Sequence, residues 1–384
     1  MKGVIMAGGF GNRLRPMTCT IPKPMVPLMD APVMEHSINL LKRHGITEIA
    51  VTLQYLPNAI MDYFGDGSDF GVHICYFLED TPMGTAGSVK NAASFLDEDF
   101  VVVSGDALTD LDITNAVAYH KNKNAFTTLV LKRVPAPVEY GVVLTDEAGR
   151  ITRFLEKPDW PSVFGDTANT GIYIMNKDIL QMIPEGISDF AGDIFPMLLQ
   201  QKYALFGLVT MDYWCDVGDT HFYTKAHEDA LNGVVQLGAL ADAYIAPDAV
   251  VAPNAVLIPP YYIAAKARVD ENAHIGPYAV IGKHSYVAAF ARIKNSVLWY
   301  NAAVHKNAMV HGSVLCNHSI IGKNCILTEG AVIGEQTKLA AHCVVSGGAK
   351  IWPNKHIPER TKIAHNLIWG AANGLQCGGC GWKL

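Results

Sequence analysis

The chain has no apolar run long enough to cross a bilayer, no excess of positive charge and no dense array of cysteines. A membrane-spanning helix needs about 20 consecutive apolar residues, and the hydrophobic half of these 384 residues is scattered in short runs. Lys and Arg number 30 against 36 Asp and Glu, a net charge of −6, so the basic footprint of a DNA-binding or membrane-surface protein is missing. Of the eight cysteines, Cys75, Cys215, Cys316 and Cys343 stand alone among aliphatics, as small buried hydrophobes do and a disulfide framework does not. Cys377-Gly-Gly-Cys380 on a glycine-rich tail is the exception, and a lone pair at this spacing is a weak metal or redox signal. Met1 leads directly into a strand-like run without a charged leader or cleavage site. The expectation is a cytoplasmic protein with neither a membrane nor a nucleic-acid partner.

What is present begins at once. The apolar run Gly3-Val4-Ile5-Met6-Ala7 feeds Gly8-Gly9-Phe10-Gly11-Asn12-Arg13-Leu14-Arg15-Pro16-Met17-Thr18, and Pro22-Lys23-Pro24 follows. A buried strand entering a glycine-rich loop lets backbone N–H groups approach an anion, and a basic residue just beyond can reach the same phosphates. The loop lacks the Gly-Lys-Ser/Thr ending of a Walker loop, and Leu14 stands where a dinucleotide fold needs its third glycine.

Through about residue 230, β-rich runs at 2–7, 48–53, 72–78, 100–104 and 126–132 alternate with helical patterns at 33–44, 57–64, 85–95 and 113–122. That alternation predicts a mainly parallel sheet covered on both faces, with ligands beyond the carboxyl ends of its strands. From about Leu240 the period becomes six. Ile245, Val251, Leu257, Ile263 and Val269 open a frame that runs to Ile363, with one-residue deletions before Leu298 and before Leu315. Small residues, Gly and Asn fill the gaps, the pattern of a hexapeptide β-helix of roughly seven coils.

The string Gly8, Gly9, Gly11, Arg13, Leu14, Pro16, Thr18, Pro22, Lys23, Pro24 resembles the signature of the sugar-1-phosphate nucleotidyltransferases, and its details are most similar to the mannose-1-phosphate guanylyltransferase branch. The resemblance implies an α/β fold: a Rossmann-like, mainly parallel sheet over residues 1–233, then a left-handed parallel β-helix of hexapeptide repeats over 240–365 and a tail over 366–384. It also implies a reaction. A sugar-1-phosphate oxygen attacks the α-phosphorus of a nucleoside triphosphate and pyrophosphate leaves. The nucleophile is already anionic, so catalysis reduces to positioning and charge neutralisation. By resemblance Arg13 steadies the triphosphate, Lys23 reaches the reacting phosphates, and Asp106 and Asp216 hold Mg²⁺, a hard cation suited to carboxylates and phosphate oxygens. The nucleotide falls to Gly8, Gly9, Gly11, Gly84, Thr85 and Ala86, with Gln54 as a hydrogen-bond partner for the base. The hexose-1-phosphate falls to Tyr140, Gly141, Glu156, Lys157, Asn169 and Gly171. The implied pair is GTP with mannose-1-phosphate, and UTP with glucose-1-phosphate is the alternative.

Two other classes of function remain to be weighed. Hexapeptide β-helices also build acyltransferases that use a coil-edge histidine as base, and His274, His284, His305, His311, His318 and His342 supply candidates. A regulatory subunit without activity is the other, against which the intact Arg13, Lys23, Asp106 and Asp216 argue. The open end of a β-helix favours a homo-oligomer.

Overall fold

The computed structural model describes residues 1–156, 159, 165–237 and 242–369; Lys157 and the Cys377–Cys380 pair lie outside them. The chain divides into two compact units. Met1–Gly11, Ile21–Val26 and Ala31–Gly218 form the first, whereas Asn12–Thr20, Pro27–Asp30 and the chain from Asp219 onward form the second.

The first unit is built on a nine-stranded sheet. Lys2–Met6 lies between Glu48–Leu53 and Phe100–Ser104, parallel to both, and His73–Leu78 extends this parallel block. Side chains alternate across the sheet: Val4, Ala50 and Val102 enter one core cluster, while Ile5, Val51, Val101 and Val103 enter another on the opposite face. Burial of both faces is why these strands read as unbroken aliphatic runs. The other flank departs from the mainly parallel expectation. Thr167–Met175 runs antiparallel to Phe100–Ser104 and Thr127–Arg133, and Gly141–Thr145 and Ile151–Glu156 close an antiparallel hairpin. Leu205–Val209 then adds to Thr127–Arg133 in parallel.

Helices cover the sheet where the periodicity expected them. Val33–Arg43 buries Val33, Met34, Ile38 and Leu41, a stripe at helical spacing. Ile113–Asn122 is capped by Asp112, whose side chain accepts from the Asn115 N–H. Among the described residues no helix is long and apolar enough to cross a membrane.

In the second unit, three seven-stranded parallel sheets form the walls of a left-handed β-helix. The aliphatic frame lines its interior: Ile263, Val269, Ile275, Ile281, Val287 and Ile293 are all buried in one cluster. At the corners the backbone turns through the left-handed region, at His284 (φ 60°), Asn301 (54°), Asn307 (59°), His318 (57°), Asn324 (57°) and His342 (61°) among others. Asn and His tolerate that region better than most residues, which accounts for three of the six histidines weighed as acyltransferase bases. The two deletions fall at one corner of consecutive coils, beside Asn295 (φ 48°) and Gly312 (φ 60°). There the buried Ser296 hydroxyl donates to the Lys294 carbonyl and accepts from the Ser313 N–H, 17 residues on. Ser313 repeats the bond by donating to the His311 carbonyl.

Helix Thr220–Leu231 belongs to this unit through buried polar contacts. The Tyr223 hydroxyl donates to the Pro27 carbonyl at 2.8 Å and accepts from Trp299 Nε1 at 2.7 Å. His227 Nε2 accepts from the Met29 N–H, and its Nδ1 lies 3.0 Å from the Tyr223 carbonyl. Those contacts make 27–30 and 220–231 one piece, although the repeat frame starts only at Ile245.

Because Ile281 is fully buried between Ile263 and Leu298 in the column, Ile281→Ala should lower stability by about 2–5 kcal/mol. Guanidinium unfolding followed by circular dichroism checks this, and an unchanged midpoint would show that the column relaxes to fill the gap.

Candidate active site

Four neighbouring parallel strands end on the same side of the sheet, and each leads to a polar or glycine-rich segment there. In order across the sheet, Phe100–Ser104 leads to Asp106, Lys2–Met6 to the glycine loop, Glu48–Leu53 to Gln54, and His73–Leu78 to Glu79. This is where a parallel sheet holds its ligands.

Asp106 meets Asp216 through a two-stranded ladder. Ala107–Thr109 pairs antiparallel with Trp214–Asp216, setting Asp216 opposite Ala107, and the Val217 N–H donates to the Asp106 carbonyl at 3.2 Å. The preceding residue is a tightly packed glycine: a Cβ at Gly105 would stand 3.1 Å from the Met6 carbonyl. Between the carboxylates sits Lys23, whose Nζ is 2.5 Å from Asp106 Oδ2 and 3.2 Å from Asp216 Oδ1. Its backbone is held in the short 3₁₀ turn Lys23–Met25, entered from Pro22. Burial alone would push the Lys23 amine down, but the two carboxylates outweigh it and raise it. Burial would likewise raise the Asp106 carboxyl, and the Lys23 charge, with hydrogen bonds from Lys23 and Ser104, holds it below the usual carboxylate range. Asp110 accepts from the Tyr213 N–H and Asp112 caps a helix, so each has a structural task.

A second cluster adjoins the acidic pair. Gly171 (φ 77°) lies against Ser104, whose hydroxyl donates to Asp106. Asn169, two residues earlier, accepts from the Gly171 N–H and donates to the Tyr173 hydroxyl at 2.9 Å. Gly141 pairs with Glu156 across the hairpin, and a Cβ there would stand 2.8 Å from Glu156 Oε2 and 3.4 Å from Asn169 Cβ. The Tyr140 and Trp214 rings meet edge to face at 5.3 Å, and Trp214 Nε1 donates to the Thr170 carbonyl. The structure thus links Glu156, Gly141, Asn169 and Gly171 in a run of near contacts that reaches Ser104, the hydrogen-bond partner of Asp106, while Tyr140 packs on Trp214.

On the opposite side of the glycine loop, a Cβ at Gly8 would stand 3.6 Å from Gln54 Cβ and 3.8 Å from Glu79 Oε1. Gly9 is exposed with open space around it, and Gly11 takes a positive φ of 64°. Arg13 lies on the 3₁₀ turn Asn12–Leu14 that continues the loop, its side chain exposed. Gly84, Thr85 and Ala86 open helix Gly84–Asn91, and their groups are engaged within the chain. The Thr85 N–H and hydroxyl both donate to Asp189, and the Ala86 N–H donates to the Ser188 carbonyl. A Cβ at Gly84 would stand 2.5 Å from that carbonyl, so its glycine serves this close approach. Glu79, Ser104 and Tyr173 were not anticipated from sequence; an acidic residue closing a strand was the available signal for Glu79.

Residues 2–233 match the model of the family described as Nucleotidyl transferase, and residues 257–367 match that described as GMPPB C-terminal domain. The first match covers more than half of the chain, which therefore belongs to the nucleotidyl transferase family. Among curated relatives, a UTP–glucose-1-phosphate uridylyltransferase of Synechocystis sp. is 41% identical over 60% of this chain and 64% of its own length. A mannose-1-phosphate guanylyltransferase of Mycobacterium tuberculosis is 34% identical over 62% of this chain and 67% of its own. The chain thus spans about two thirds of the length of the curated relatives it matches, and less than two thirds of the first. Among solved structures, HddC from Yersinia pseudotuberculosis complexed with GMP-PN shares 27% identity at a TM-score of 0.51, covering 60% of this chain and 99% of that one.

The Lys23 contacts set a pH signature. The raised Lys23 amine contributes stability present below 10.5 and lost as pH rises through its folded value; the lowered Asp106 carboxyl contributes stability present above 3.8 and lost as pH falls. Lys23→Met should therefore cost about 1–3 kcal/mol near neutrality, and the difference from wild type should shrink below pH 3.8 and above pH 10.5. Denaturant titrations from acid to alkaline pH measure it; a difference flat across the range contradicts the assignment.

Proposed function

We propose that this protein transfers a nucleotidyl group from a nucleoside triphosphate to a hexose-1-phosphate, releasing pyrophosphate, with GTP and mannose-1-phosphate as the preferred pair. The observation that carries the reading is the acidic pair Asp106 and Asp216, closed around a cation, Lys23, and bordered by the cluster of Gly141, Glu156, Asn169 and Gly171. Two half-buried carboxylates already sharing one positive charge fit a divalent cation. Among the described residues no three His, Cys, Asp or Glu side chains group as a metal site, so Mg²⁺ held by these two would complete its shell with phosphate oxygens and water. Bound there, it would neutralise charge on the triphosphate as the α-phosphorus is attacked.

The chain's own residues do the rest. Lys23 carries its charge on a backbone stiffened by two prolines and can pass from the carboxylates to a phosphate as a point cation. Arg13 offers a planar fork for the triphosphate. Glu156 and Asn169 offer hydrogen-bond partners to sugar hydroxyls, with Gly141 leaving room against the backbone; Lys157 is the proposed partner of the sugar phosphate. The guanine preference is supported by the guanylyltransferase relative and by the match described as GMPPB C-terminal domain. The uridylyltransferase relative, at higher identity, supports UTP with glucose-1-phosphate as the second reading. We place the protein in the cytoplasm and read it as a homo-oligomer, the latter supported by outward-facing Val250, Val256, Met309 and Ile326 on the β-helix.

Pyrophosphate release from the four nucleoside triphosphates, each with mannose-, glucose- and N-acetylglucosamine-1-phosphate, tests the reading. GTP with mannose-1-phosphate should give the highest kcat/KM, at least about tenfold above UTP; a preference for UTP with glucose-1-phosphate selects the second reading. Asp106→Asn and Asp216→Asn should each lower turnover by at least about 10²-fold, and near-normal turnover in either at saturating Mg²⁺ would remove that residue from the cation site.

A further inference from the structure

The turn that carries Lys23 leads directly into the β-helix unit. Asn12–Thr20 and Pro27–Asp30 belong to the second unit, and only the short stretch Ile21–Val26 between them belongs to the first. Arg13 therefore sits on a segment of the β-helix unit, and Lys23 sits on a bridge with both ends fixed in it. The turn closes with the Val26 N–H donating to the Lys23 carbonyl, and Pro27 is next in the chain.

What fixes Pro27 is one wall of the β-helix. Val280, Val297, Val314 and Val332 precede the interior residues Ile281, Leu298, Leu315 and Ile333 on their strands, so they face outward. All four are nevertheless buried, so this wall is covered. Its hydrogen bonds name part of the cover. Trp299, buried next to Leu298, donates through Nε1 to the Tyr223 hydroxyl at 2.7 Å, and that hydroxyl donates to the Pro27 carbonyl at 2.8 Å. A hydroxyl has one proton to give, and the bond from Trp299 leaves it aimed at Pro27. Two further ties hold the same segment: the Met29 N–H donates to His227, and Lys283 Nζ lies 3.4 Å from Asp30 Oδ2. On the next coil, burial pushes the Cys316 thiol up, with Glu335 and Cys19 nearby adding to the effect. Cys19 lies on the segment that carries Arg13, so that segment reaches the same wall.

We propose that Trp299 and Tyr223 are positioning residues for nucleotidyl transfer, which act through the Pro27 carbonyl to set where the Lys23 ammonium stands against the reacting phosphates. The proposal rests on the nucleotidyl-transfer reading of Lys23, and it gives the β-helix a part in the chemistry beyond its own stability. Pro22, Pro24 and Pro27 each fix φ, so few soft dihedrals lie between the held carbonyl and Lys23. Two buried hydrogen bonds in series hold that carbonyl. A misplacement of about 1 Å at a reacting group can cost on the order of 10²-fold in rate.

The test compares pyrophosphate release by wild type, Trp299→Phe, Tyr223→Phe and the double variant, each corrected for folded fraction. Tyr223→Phe removes both bonds and should lower kcat at least about tenfold; Trp299→Phe removes one and should lower it at least about threefold. KM for the triphosphate should stay within about threefold, because the loss falls on the transition state. The double variant should match Tyr223→Phe within about twofold, since both act through one hydroxyl. Val345→Ala, which opens a gap inside the column away from this network, should lower the unfolding midpoint and leave kcat unchanged. Lys283→Met reads the link from the exposed side, whatever the buried variants do to folding, and should lower kcat at least about twofold. The proposal is overturned if the network variants keep kcat as Val345→Ala does, or if the two buried substitutions multiply their losses. Failure of the transfer reading shows separately, as no pyrophosphate release by wild type with any triphosphate and sugar phosphate. The link to Lys23 is then read from stability: the unfolding constants of Lys23→Met and Tyr223→Phe should depart from simple multiplication by at least about fivefold in the double variant. Simple multiplication overturns the link.

Discussion

The contact on which the first unit depends is the ammonium of Lys23 lodged between Asp106 and Asp216. Lys23 and Asp216 are 193 residues apart in the chain, and the carboxylates are brought together only because Ala107–Thr109 and Trp214–Asp216 pair as strands. Two carboxylates this close repel one another unless a cation shares them. The lysine supplies that cation from within the chain, which holds both carboxylates together. These three residues thus help close the fold, tying the segment that carries Lys23 to the paired strands Ala107–Thr109 and Trp214–Asp216.

Much of this was legible beforehand, for reasons that differ by element. The parallel strands 2–7, 48–53, 72–78 and 100–104 were readable because burial of both faces leaves long aliphatic runs. The β-helix was readable because a column of stacked residues must repeat. The antiparallel half of the sheet was not: Gly141–Thr145 and Ile151–Glu156 are a hairpin with mixed exposure, and neither run carries a helix between strands to announce its direction. Contacts between distant residues were also out of reach. Thr85 meets Asp189 across 104 residues, so the helix start that reads as a free backbone edge is in fact tied down. Tyr223 reaches Pro27 across 196, and this joins a helix counted with the catalytic sheet to the β-helix unit. Glu79 illustrates a subtler difficulty. In sequence, Leu78-Glu79-Asp80-Thr81-Pro82 reads as a polar loop, and only burial reveals that one carboxylate oxygen points inward.

Glycine has separate physical uses around the candidate site. Gly84 combines a positive φ with a carbonyl packed close to the missing Cβ, Gly105 is packed tightly against the Met6 carbonyl, and Gly11 and Gly171 take a positive φ that favours glycine. Gly9 has neither constraint from its own chain. Its lack of a side chain leaves the backbone of the loop open on that side.

The shortened corners at Ser296 and Ser313 bear on how a repetitive domain finds its alignment. Coils of equal length with interchangeable aliphatics could stack one rung out of step at little local cost, a hazard of any repeat array. Two consecutive coils one residue short cannot exchange places with their longer neighbours without stranding a serine hydroxyl and its backbone partners in the interior. The pair acts as an index mark in the middle of the stack, from which the coils on either side can be counted.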